Sequence, residues 1–399
     1  MHQNIQNLVK VASKQERMVI GLMSGTSMDG LDIALCAISG AGKETRFELK
    51  AFTTIDYSAD FKEKILSVFS KEMVALETLT LLNAWIGQQH GKMILSALAS
   101  WHIAPAQVDM IASHGQTIYH APKSLHPNSE YGPATLQIGD GDHIAVTTGI
   151  LTLSDFRQKH IAAGGEGAPL AVYGDYLLCS HPTENRLLLN MGGIANFTYL
   201  SAGCSLDQVF STDTGTGNTL MDAYTRTYFA PLAYDKGGEI AASGNINSHL
   251  LAALKAHSFF ALDLPKTIGP ELFNLEFLKK AQSESQTLDL SPADVMATLN
   301  RFSAETIADC IHSSLTLGTT FNMYSSGGGM HNPVMMGHLQ ALLPNATLYS
   351  SEVLGINPDA KEAILFALLA NEAVAGTSLF AGGHATKIPV TMGKFSFPQ

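Results

Sequence analysis

Residues 18–38, MVIGLMSGTSMDGLDIALCAI, contain the pattern that sets the fold of this chain. Two apolar runs, residues 18–23 and 31–38, have the length and composition of buried strands. The small and polar residues between them, 24–30, form the tip of a predicted hairpin. Because glycine lets a ligand approach the main chain closely, this tip suits a nest for phosphate oxygens. An ordinary hairpin turn is the alternative, and a Walker A loop is excluded because no Gly-Lys-Ser/Thr follows.

The same arrangement recurs in the second half of the chain. Residues 186–191, RLLLNM, predict a buried strand, Gly192 and Gly193 a turn, and residues 194–200 a returning strand. No sequence identity accompanies this repeat, so the evidence for it is architectural. Helical and strand periodicities alternate through both halves, which predicts an α/β protein with two similar domains. Two such hairpin tips, facing each other across a cleft, would hold a polyphosphate from both sides.

The domain boundaries follow from the place where the pattern restarts. We expect an N-terminal extension over residues 1–17 and a first domain over 18–154. The C-terminal segment, about 376–399, is expected to join the first domain, and the second domain covers 155–375. A chain of 399 residues is long enough for this, since an average domain has about 150.

Composition and charge exclude several classes of protein. The chain is 46% hydrophobic and 15% charged, which is typical of a globular protein and not of a disordered one. The formal net charge of −11 argues against a nucleic-acid partner, which requires a basic face. The apolar runs are too short to span a membrane, and the polar N-terminus lacks the core of a secretory signal. The 4 cysteines form no CxxC pair, so we expect buried thiols in a cytoplasmic protein.

Three further segments carry candidate functional residues. Asp155 follows a predicted strand, where α/β proteins place ligands, and it can be a general base, a metal ligand or the partner of Arg157. Residues 213–217, DTGTG, join a strand to a helix; Asp213 can serve phosphate or Mg²⁺, or cap the helix. The three glycines at 327–329 indicate close approach by a ligand, such as adenosine, or by another backbone in a tight turn.

Together, the motifs resemble those of the anhydro-N-acetylmuramic acid kinase family, within the superfamily of sugar kinases, actin and heat-shock ATPases. The resemblance runs from about residue 19 to the final helix. It implies two ribonuclease-H-like domains flanking a nucleotide- and substrate-binding cleft, and commonly a homodimer. The strings that carry it are GLMSGTSMDG (21–30), SHGQT (113–117), LQIGD (136–140), DFR (155–157), AGGEGAP (163–169), NMGGIAN (190–196), DTGTGN (213–218) and SGGG (326–329).

The resemblance also implies a reaction. The substrate, 1,6-anhydro-N-acetylmuramic acid, has no free 6-hydroxyl, so water attacks C1 while O6 takes the γ-phosphoryl group of ATP. The products are N-acetylmuramic acid 6-phosphate and ADP, in the recycling of peptidoglycan fragments. Asp155 matches the family's catalytic base, which would deprotonate the water and stabilise positive charge at C1. Mg²⁺ would neutralise charge on the transferring phosphoryl group.

The resemblance finally implies a set of binding residues. One of them, Glu362, has a simpler alternative to binding substrate: it is a solvated acid near the start of a helix, where the helix dipole favours it. The ATP-binding candidates are Gly25, Thr26, Ser27, Met28, Asp29, Gly30, Leu31 and Asp32 in the first loop, Gly192 and Gly193 in the second, and Gly327, Gly328 and Gly329 near adenosine. The substrate-binding candidates are His114, Gln116, Arg157 and Glu362, and those for the Mg²⁺ shell, through water, are Asp29 and Asp213.

Two other functions stay open at this level. A kinase of another sugar or polyol would use its Asp to deprotonate a free hydroxyl instead of water. A non-enzymatic, ATP-switched protein of the actin or chaperone kind would hydrolyse ATP slowly and phosphorylate no small molecule. Oxygen from solvent would appear in the product sugar only in the ring-opening reaction, so labelled water separates these functions.

Overall fold

The computed structural model describes residues 1–25, 28–121, 123, 130–165, 167, 170–268, 272–357, 359–376 and 390–398. Thr26 and Ser27 of the first loop lie outside these residues, as do three residues of the AGGEGAP string. The chain divides into two compact units. The first unit is Met1–Leu178 with Asp359–Gln399, and the second unit is Cys179–Pro358.

Most of the helices and strands lie where the apolar periodicity predicts them. The strands are β1 (Glu16–Ser24), β2 (Gly30–Ser39), β3 (Arg46–Asp56), β4 (Met110–Ala121), β5 (Ala134–Ile138), β6 (Thr152–Ser154), β7 (Arg186–Met191), β8 (Ile194–Leu200), β9 (Phe210–Thr216), β10 (Phe321–Ser326), β11 (Ala346–Ser350) and β12 (Lys394–Ser396). The helices are α1 (Gln3–Ala12), α2 (Ala59–Leu66), α3 (Leu76–Ser100), α4 (Gly141–Thr148), α5 (Phe156–Ala162), α6 (Ala171–Cys179), α7 (Thr219–Tyr228), α8 (Glu239–Ser243), α9 (Ser248–Lys255), α10 (Leu275–Glu284), α11 (Pro292–Ser314), α12 (Pro333–Leu342) and α13 (Lys361–Ala375).

The sequence did not predict α5, α6, α8 or β12. Each of them is short, from three to nine residues, so its periodicity is too brief to stand out. Further 3-10 turns cover Gly42–Glu44, Pro105–Gln107, Leu206–Gln208, Lys236–Gly238, Ser258–Ala261, Gly328–His331 and Ser351–Leu354.

The sheet of the first unit has the strand order β12-β6-β4-β1-β2-β3, with β5 paired to β4. Strand β2 pairs antiparallel with both β1 and β3, whereas β4 runs parallel to β1 and β6 parallel to β4. An antiparallel trio followed by two parallel strands is the ribonuclease-H-like arrangement. The expected fold class is therefore present in this unit.

The sheet of the second unit repeats that order, as β11-β10-β7-β8-β9. Strands β7, β8 and β9 form the antiparallel trio, and β10 and β11 follow in parallel. The repeat expected from the two hairpins is thus confirmed at the level of topology. Pairing of Met191 with Ala195 leaves Gly192 and Gly193 at the hairpin tip.

The division of the chain falls at 178/179 and 358/359, whereas the sequence suggested 154/155 and 375/376. The difference arises from helices α5 and α13, which belong to the first unit, and from α6, of which all but the last residue belongs to it. Helix α13 packs on β1, β2 and β4. Its residues Ala363 to Glu372 are buried, so it is a core helix of that unit.

Each unit has its own hydrophobic core. In the first unit, Ile20 and Ile33 of the sheet pack with Ile86 of α3. In the second unit, Leu189 of the sheet packs with Phe302 of α11, which begins at the Ser291 cap and Pro292 as predicted. Burying one such side chain contributes roughly 1.5–3 kcal/mol. The four cysteines are buried, as expected, and no described helix is long and apolar enough to cross a membrane.

Candidate active site

The first glycine loop joins β1 to β2, and backbone hydrogen bonds hold both of its ends. Met28 N–H donates to the carbonyl of Gly25 at 3.3 Å, and Tyr57 N–H donates to that of Asp29 at 3.0 Å. Met28 itself has φ 57°, in the left-handed region that favours glycine. A Cβ on Gly30 would lie 2.6 Å from the carbonyl oxygen of Ile55, so this glycine lets β2 pair closely with β3.

A buried chain of hydrogen bonds supports this loop from below. The Tyr57 hydroxyl donates to Ser24 Oγ at 2.8 Å, and Ser24 Oγ donates to Gln116 Oε1 at 2.5 Å. Gln116 Nε2 in turn donates to the Gly25 carbonyl at 3.3 Å. His90 Nε2 lies 2.8 Å from the Tyr57 hydroxyl and acts as its donor, since that hydroxyl donates to Ser24. Burial lowers the pKa of His90 to about 4, so the ring is neutral. Gln116, a substrate-binding candidate, is therefore engaged with the loop.

The candidates His114 and Arg157 are brought into direct contact. Arg157 Nε donates to His114 Nε2 at 3.0 Å, and Arg157 Nη1 donates to the Gly167 carbonyl at 2.7 Å. Burial, with Arg157 beside it, lowers the pKa of His114 to about 3, so His114 is a neutral acceptor. Burial also lowers the pKa of Arg157 to about 10, and the nearby Glu362 partly offsets this.

Glu362 and Asp32 form an acidic group in the same unit. Glu362 lies on the first turn of α13. Its carboxyl is accessible, but desolvation by the surrounding protein raises its pKa. Arg157 lowers this pKa, and Asp32 raises it further. Burial raises the pKa of Asp32, and the neighbouring Asp359 and Asp29 add to this, although Thr54 Oγ1 donates to Asp32 at 2.6 Å. The site thus concentrates negative charge near the first loop.

Asp155 lies at the start of α5, directly after β6. Its backbone is left-handed, with φ 56° and ψ 49°, and its side chain does not cap the helix. The carboxylate forms an ion pair with Lys394 of β12, a strand that pairs antiparallel with β6. Of the three roles open to Asp155, the structure shows an ion pair with Lys394 in place of one with Arg157, whose Nε donates to His114.

A polar cavity of about 350 Å³ lies beside Asp155. Asp155 and His114 line it together with Asp140 and Lys394. Ser113 and Gly115 of the SHGQT string also line it, so three of the predicted motifs, SHGQT, LQIGD and DFR, meet at one cavity. The sequence carries no signal for the contribution of Lys394, which is remote from Asp155 along the chain.

In the second unit, the Gly192–Gly193 tip joins the start of α7. Gly217 N–H donates to the Gly193 carbonyl at 2.8 Å, and Asn218 N–H donates to the Gly192 carbonyl at 2.9 Å. A Cβ on Gly217 would lie 2.3 Å from the Gly192 oxygen, so this contact requires glycine. The second phosphate-loop candidate and the DTGTGN string therefore form one backbone surface.

The three glycines after β10 pack on the same surface. Gly327 has φ 80°, and a Cβ there would lie 2.7 Å from the Met191 carbonyl oxygen. A Cβ on Gly329 would lie 2.7 Å from Met191 Cβ. Gly328 between them is exposed, with only Asn218 Nδ2, at 3.6 Å, near its missing Cβ. Gly327 thus meets the backbone of Met191 and Gly329 meets its side chain, whereas Gly328 is open to a ligand.

Asp213 lies within β9, near this surface. Ile268 N–H donates to Asp213 Oδ2 at 2.9 Å, and burial raises the pKa of the Asp213 carboxyl. The helix-capping alternative is wrong, because Asn218 occupies the cap position of α7. Among the residues that the structure describes, no three His, Cys, Asp or Glu side chains are grouped so as to hold a metal ion by themselves.

Comparison with known proteins was made over the whole chain. A family model described as anhydro-N-acetylmuramic acid kinase matches residues 17–387. A protein of that name from Pseudoalteromonas atlantica is 56% identical over 401 residues, with 100% of both chains covered. Its namesake from Pseudoalteromonas translucida is 55% identical, again over 100% of both chains. A more distant one, from Caldanaerobacter subterraneus, is 35% identical over 98% of this chain and 100% of its own.

Proposed function

The chain belongs to the anhydro-N-acetylmuramic acid kinase family, and we propose that it phosphorylates 1,6-anhydro-N-acetylmuramic acid with ATP. The enzyme is a phosphotransferase that acts on an alcohol oxygen. Water opens the anhydro bridge at C1 in the same reaction, and O6 receives the γ-phosphoryl group. The observation that carries this proposal is 56% identity over the full length to a relative of that name.

The glycine loops are the proposed phosphate-binding elements. In the first unit, the backbone of residues 25–32 would bind ATP phosphates, supported by the Ser24–Gln116 hydrogen bond beneath it. In the second unit, the exposed Gly193 would bind phosphate, and Gly328 would lie against adenosine. The open space around the missing Cβ of Gly328 supports this assignment.

Mg²⁺ fits the acidic group near the first loop. Asp29 and Asp32 both contribute negative charge there, and Asp29 is one of the causes of the raised pKa of Asp32. Mg²⁺ typically takes one or two carboxylates together with phosphate oxygens and water, so a cage of three protein ligands is not needed. When bound, it would neutralise charge on the transferring phosphoryl group. Asp213 stays a proposed member of its shell, through water.

Three acids compete for the role of general base. The family motif indicates Asp155, whose accessible carboxylate lines the cavity with His114 but is also engaged by Lys394. Asp213 and Glu362 have raised pKa values, which makes each a stronger proton acceptor at neutral pH. Arg157, which opposes the raised pKa of Glu362, would hold that carboxylate or a substrate oxygen.

The decisive experiment is a single incubation in ¹⁸O-water with Mg-ATP and the anhydro sugar, followed by mass spectrometry with fragmentation. A 6-phosphorylated sugar with ¹⁸O at C1, and none in the phosphate, is expected. Unlabelled phosphorylated sugar would contradict ring opening and favour a kinase of a free hydroxyl. ADP without any phosphorylated sugar would contradict the proposed substrate.

The cellular setting is also proposed. We expect a cytoplasmic enzyme of peptidoglycan-fragment recycling, and the four buried cysteines are compatible with a reducing compartment. We expect a homodimer, which light scattering of the eluted protein would test directly.

A further inference from the structure

A second cavity, of about 440 Å³, lies in the second unit on one face of α11. Thr306, Asp309 and Cys310 of that helix line it at helical spacing, so they share a face. The opposite wall comes from the segment that follows α9, with Phe260 and Lys266. A cavity of this size accommodates a small organic ligand.

Lys266 is a buried cation in the lining of this cavity. It is only 9% exposed. Its Nζ donates to the carbonyls of Phe259 at 3.2 Å and Phe260 at 3.4 Å, and lies 4.5 Å from the centre of the Phe259 ring. Among the described residues, no carboxylate lies within the 4.0 Å of an ion pair with this ammonium. A buried ammonium held by neutral groups is unfavourable, and burial lowers its pKa accordingly.

The other charges around the cavity do not compensate Lys266. Lys255 binds two acids of α11, Glu305 and Asp309, each at 2.7 Å, and Arg301 binds Glu305 at 2.8 Å. Two cations therefore pair with these two carboxylates. Asp263, the remaining acid of the lining, is exposed to solvent, which screens its charge. The cavity therefore has at its buried end the Lys266 ammonium, with which no carboxylate of the lining forms an ion pair.

The backbone of Lys266 is joined directly to the strand that carries Asp213. Asp213 N–H donates to the Lys266 carbonyl at 2.9 Å, and Lys266 N–H donates to Thr212 Oγ1 at 3.0 Å. A Cβ on Gly215 would lie 3.1 Å from Phe260 and 3.3 Å from Thr306 Oγ1, so the cavity walls also touch the DTGTG string. An occupant of the cavity would thus lie beside β9.

We propose that the Lys266 cavity binds a carboxylate through the Lys266 ammonium, with the carbon chain of the ligand against Phe260. One ammonium beside an aromatic wall matches a monoanionic carboxylate, whereas a phosphate dianion calls for several converging donors. Two sources of this carboxylate are possible: the lactyl acid group of the muramic acid substrate, which rests on the proposed function, or a free carboxylate.

Binding of free D-lactate tests the cavity without any turnover. We would titrate D-lactate into the wild-type protein and Lys266→Met by calorimetry, and follow the thermal midpoint in parallel. D-lactate should bind and stabilise the wild type and lose both effects in Lys266→Met. Lys280→Met is the matched control, because Lys280 is exposed and lies outside the cavity; it should respond as the wild type does. Lys266→Gln provides a second neutral variant if Lys266→Met fails to fold.

The thermal midpoints of the wild type and the Lys266 variants without lactate provide a second test. Removing an uncompensated buried charge should leave the thermal midpoint without lactate unchanged or higher. A structural lysine, needed to hold the Phe259 and Phe260 carbonyls, would lower it. A lactate response that persists in both Lys266 variants, or is absent from the wild type, would overturn the proposal.

Kinetics then distinguish the two sources. The pair 1,6-anhydro-N-acetylmuramic acid and 1,6-anhydro-N-acetylglucosamine differs only in the lactyl group. If the substrate supplies the carboxylate, Lys266→Met should raise KM roughly 10–100-fold for the first sugar and leave the second unchanged. Unchanged KM for both, with lactate binding lost, would assign the cavity to a free carboxylate. A wild type that phosphorylates neither sugar would contradict the proposed function, while the lactate result would still stand.

Discussion

A Cβ added to Gly21 of β1 would stand 1.8 Å from the carbonyl oxygen of Ala363 in α13. The central strand of the first sheet and this helix therefore touch through their backbones. The residue before Ala363 is Glu362, whose carboxyl interacts with Asp32 and Arg157. The close approach at Gly21 thus sets the position of the acidic group near the first loop.

Gly21→Ala should strongly destabilise the protein. The added methyl group cannot fit against a backbone carbonyl, so α13 must move away from the sheet, at a cost of roughly 1–3 kcal/mol or more. Denaturant unfolding measures this loss. Gly337→Ala in α12 is the matched control, because nothing lies within 4 Å of that missing Cβ, and it should stabilise by roughly 0.5–1 kcal/mol. Equal effects of the two substitutions would contradict the close packing of α13.

Substitution of the three candidate bases should identify the one that accepts the proton. Asp155→Asn, Asp213→Asn and Glu362→Gln keep the side-chain shape and remove the negative charge. Loss of the true base should lower kcat by about 10²–10⁴-fold with little change in ATP affinity. Lys394→Met is the companion variant for Asp155, since it removes the ion pair alone. Near-normal turnover of Asp155→Asn would exclude the residue that the motif indicates.

Acid should destabilise the fold through its buried histidines. The pKa of His90 is about 4 in the folded protein and close to 6.5 in an unfolded chain. Between these two pH values the histidine binds a proton in the unfolded chain but not in the folded protein. The stability due to this group is therefore fully present above pH 6.5 and falls toward pH 4, by up to about 1.4 kcal/mol per pH unit. His114, with a pKa of about 3, should act in the same direction.

His90→Gln isolates one of these groups. The Gln amide can still donate to the Tyr57 hydroxyl, but it does not titrate. Unfolding free energies measured from pH 7 to pH 4 should show a shallower fall for the variant than for the wild type. Asp32 and Glu362 have raised pKa values, so their contributions to the unfolding free energy favour the folded state as pH falls. These contributions are the same in both proteins, so they cancel when the two curves are compared. Parallel curves would show that His90 is not buried in its neutral form.

Adjacent glycines after β10 should respond differently to alanine. Gly327→Ala requires a left-handed backbone and places a methyl group against the Met191 carbonyl, so it should lower the thermal midpoint. Gly328→Ala meets only Asn218 Nδ2 and should leave the midpoint unchanged. If adenosine lies against Gly328, that variant should weaken ATP binding, measured by calorimetry. Unchanged ATP affinity in a well-folded Gly328→Ala would remove this loop from the ATP site.

Local features of the chain were predictable from sequence. The two hairpins and the Ser291–Pro292 start of α11 both depend on neighbouring residues. Apolar periodicity reports which face of a strand or helix is buried, because each element must turn that face to a core. The glycine loops were predictable for the same reason, since their composition is unusual over a few consecutive positions.

Pairings between distant segments were decided only by the tertiary structure. Lys394 reaches Asp155 because β12 adds to the edge of β6, and no local pattern records that pairing. His90 lies beneath the first loop because α3 packs on the sheet, and Lys266 is buried because its segment runs beside β9. Burial and charge neighbours set the properties of these groups, and both arise when elements far apart in the chain pack together.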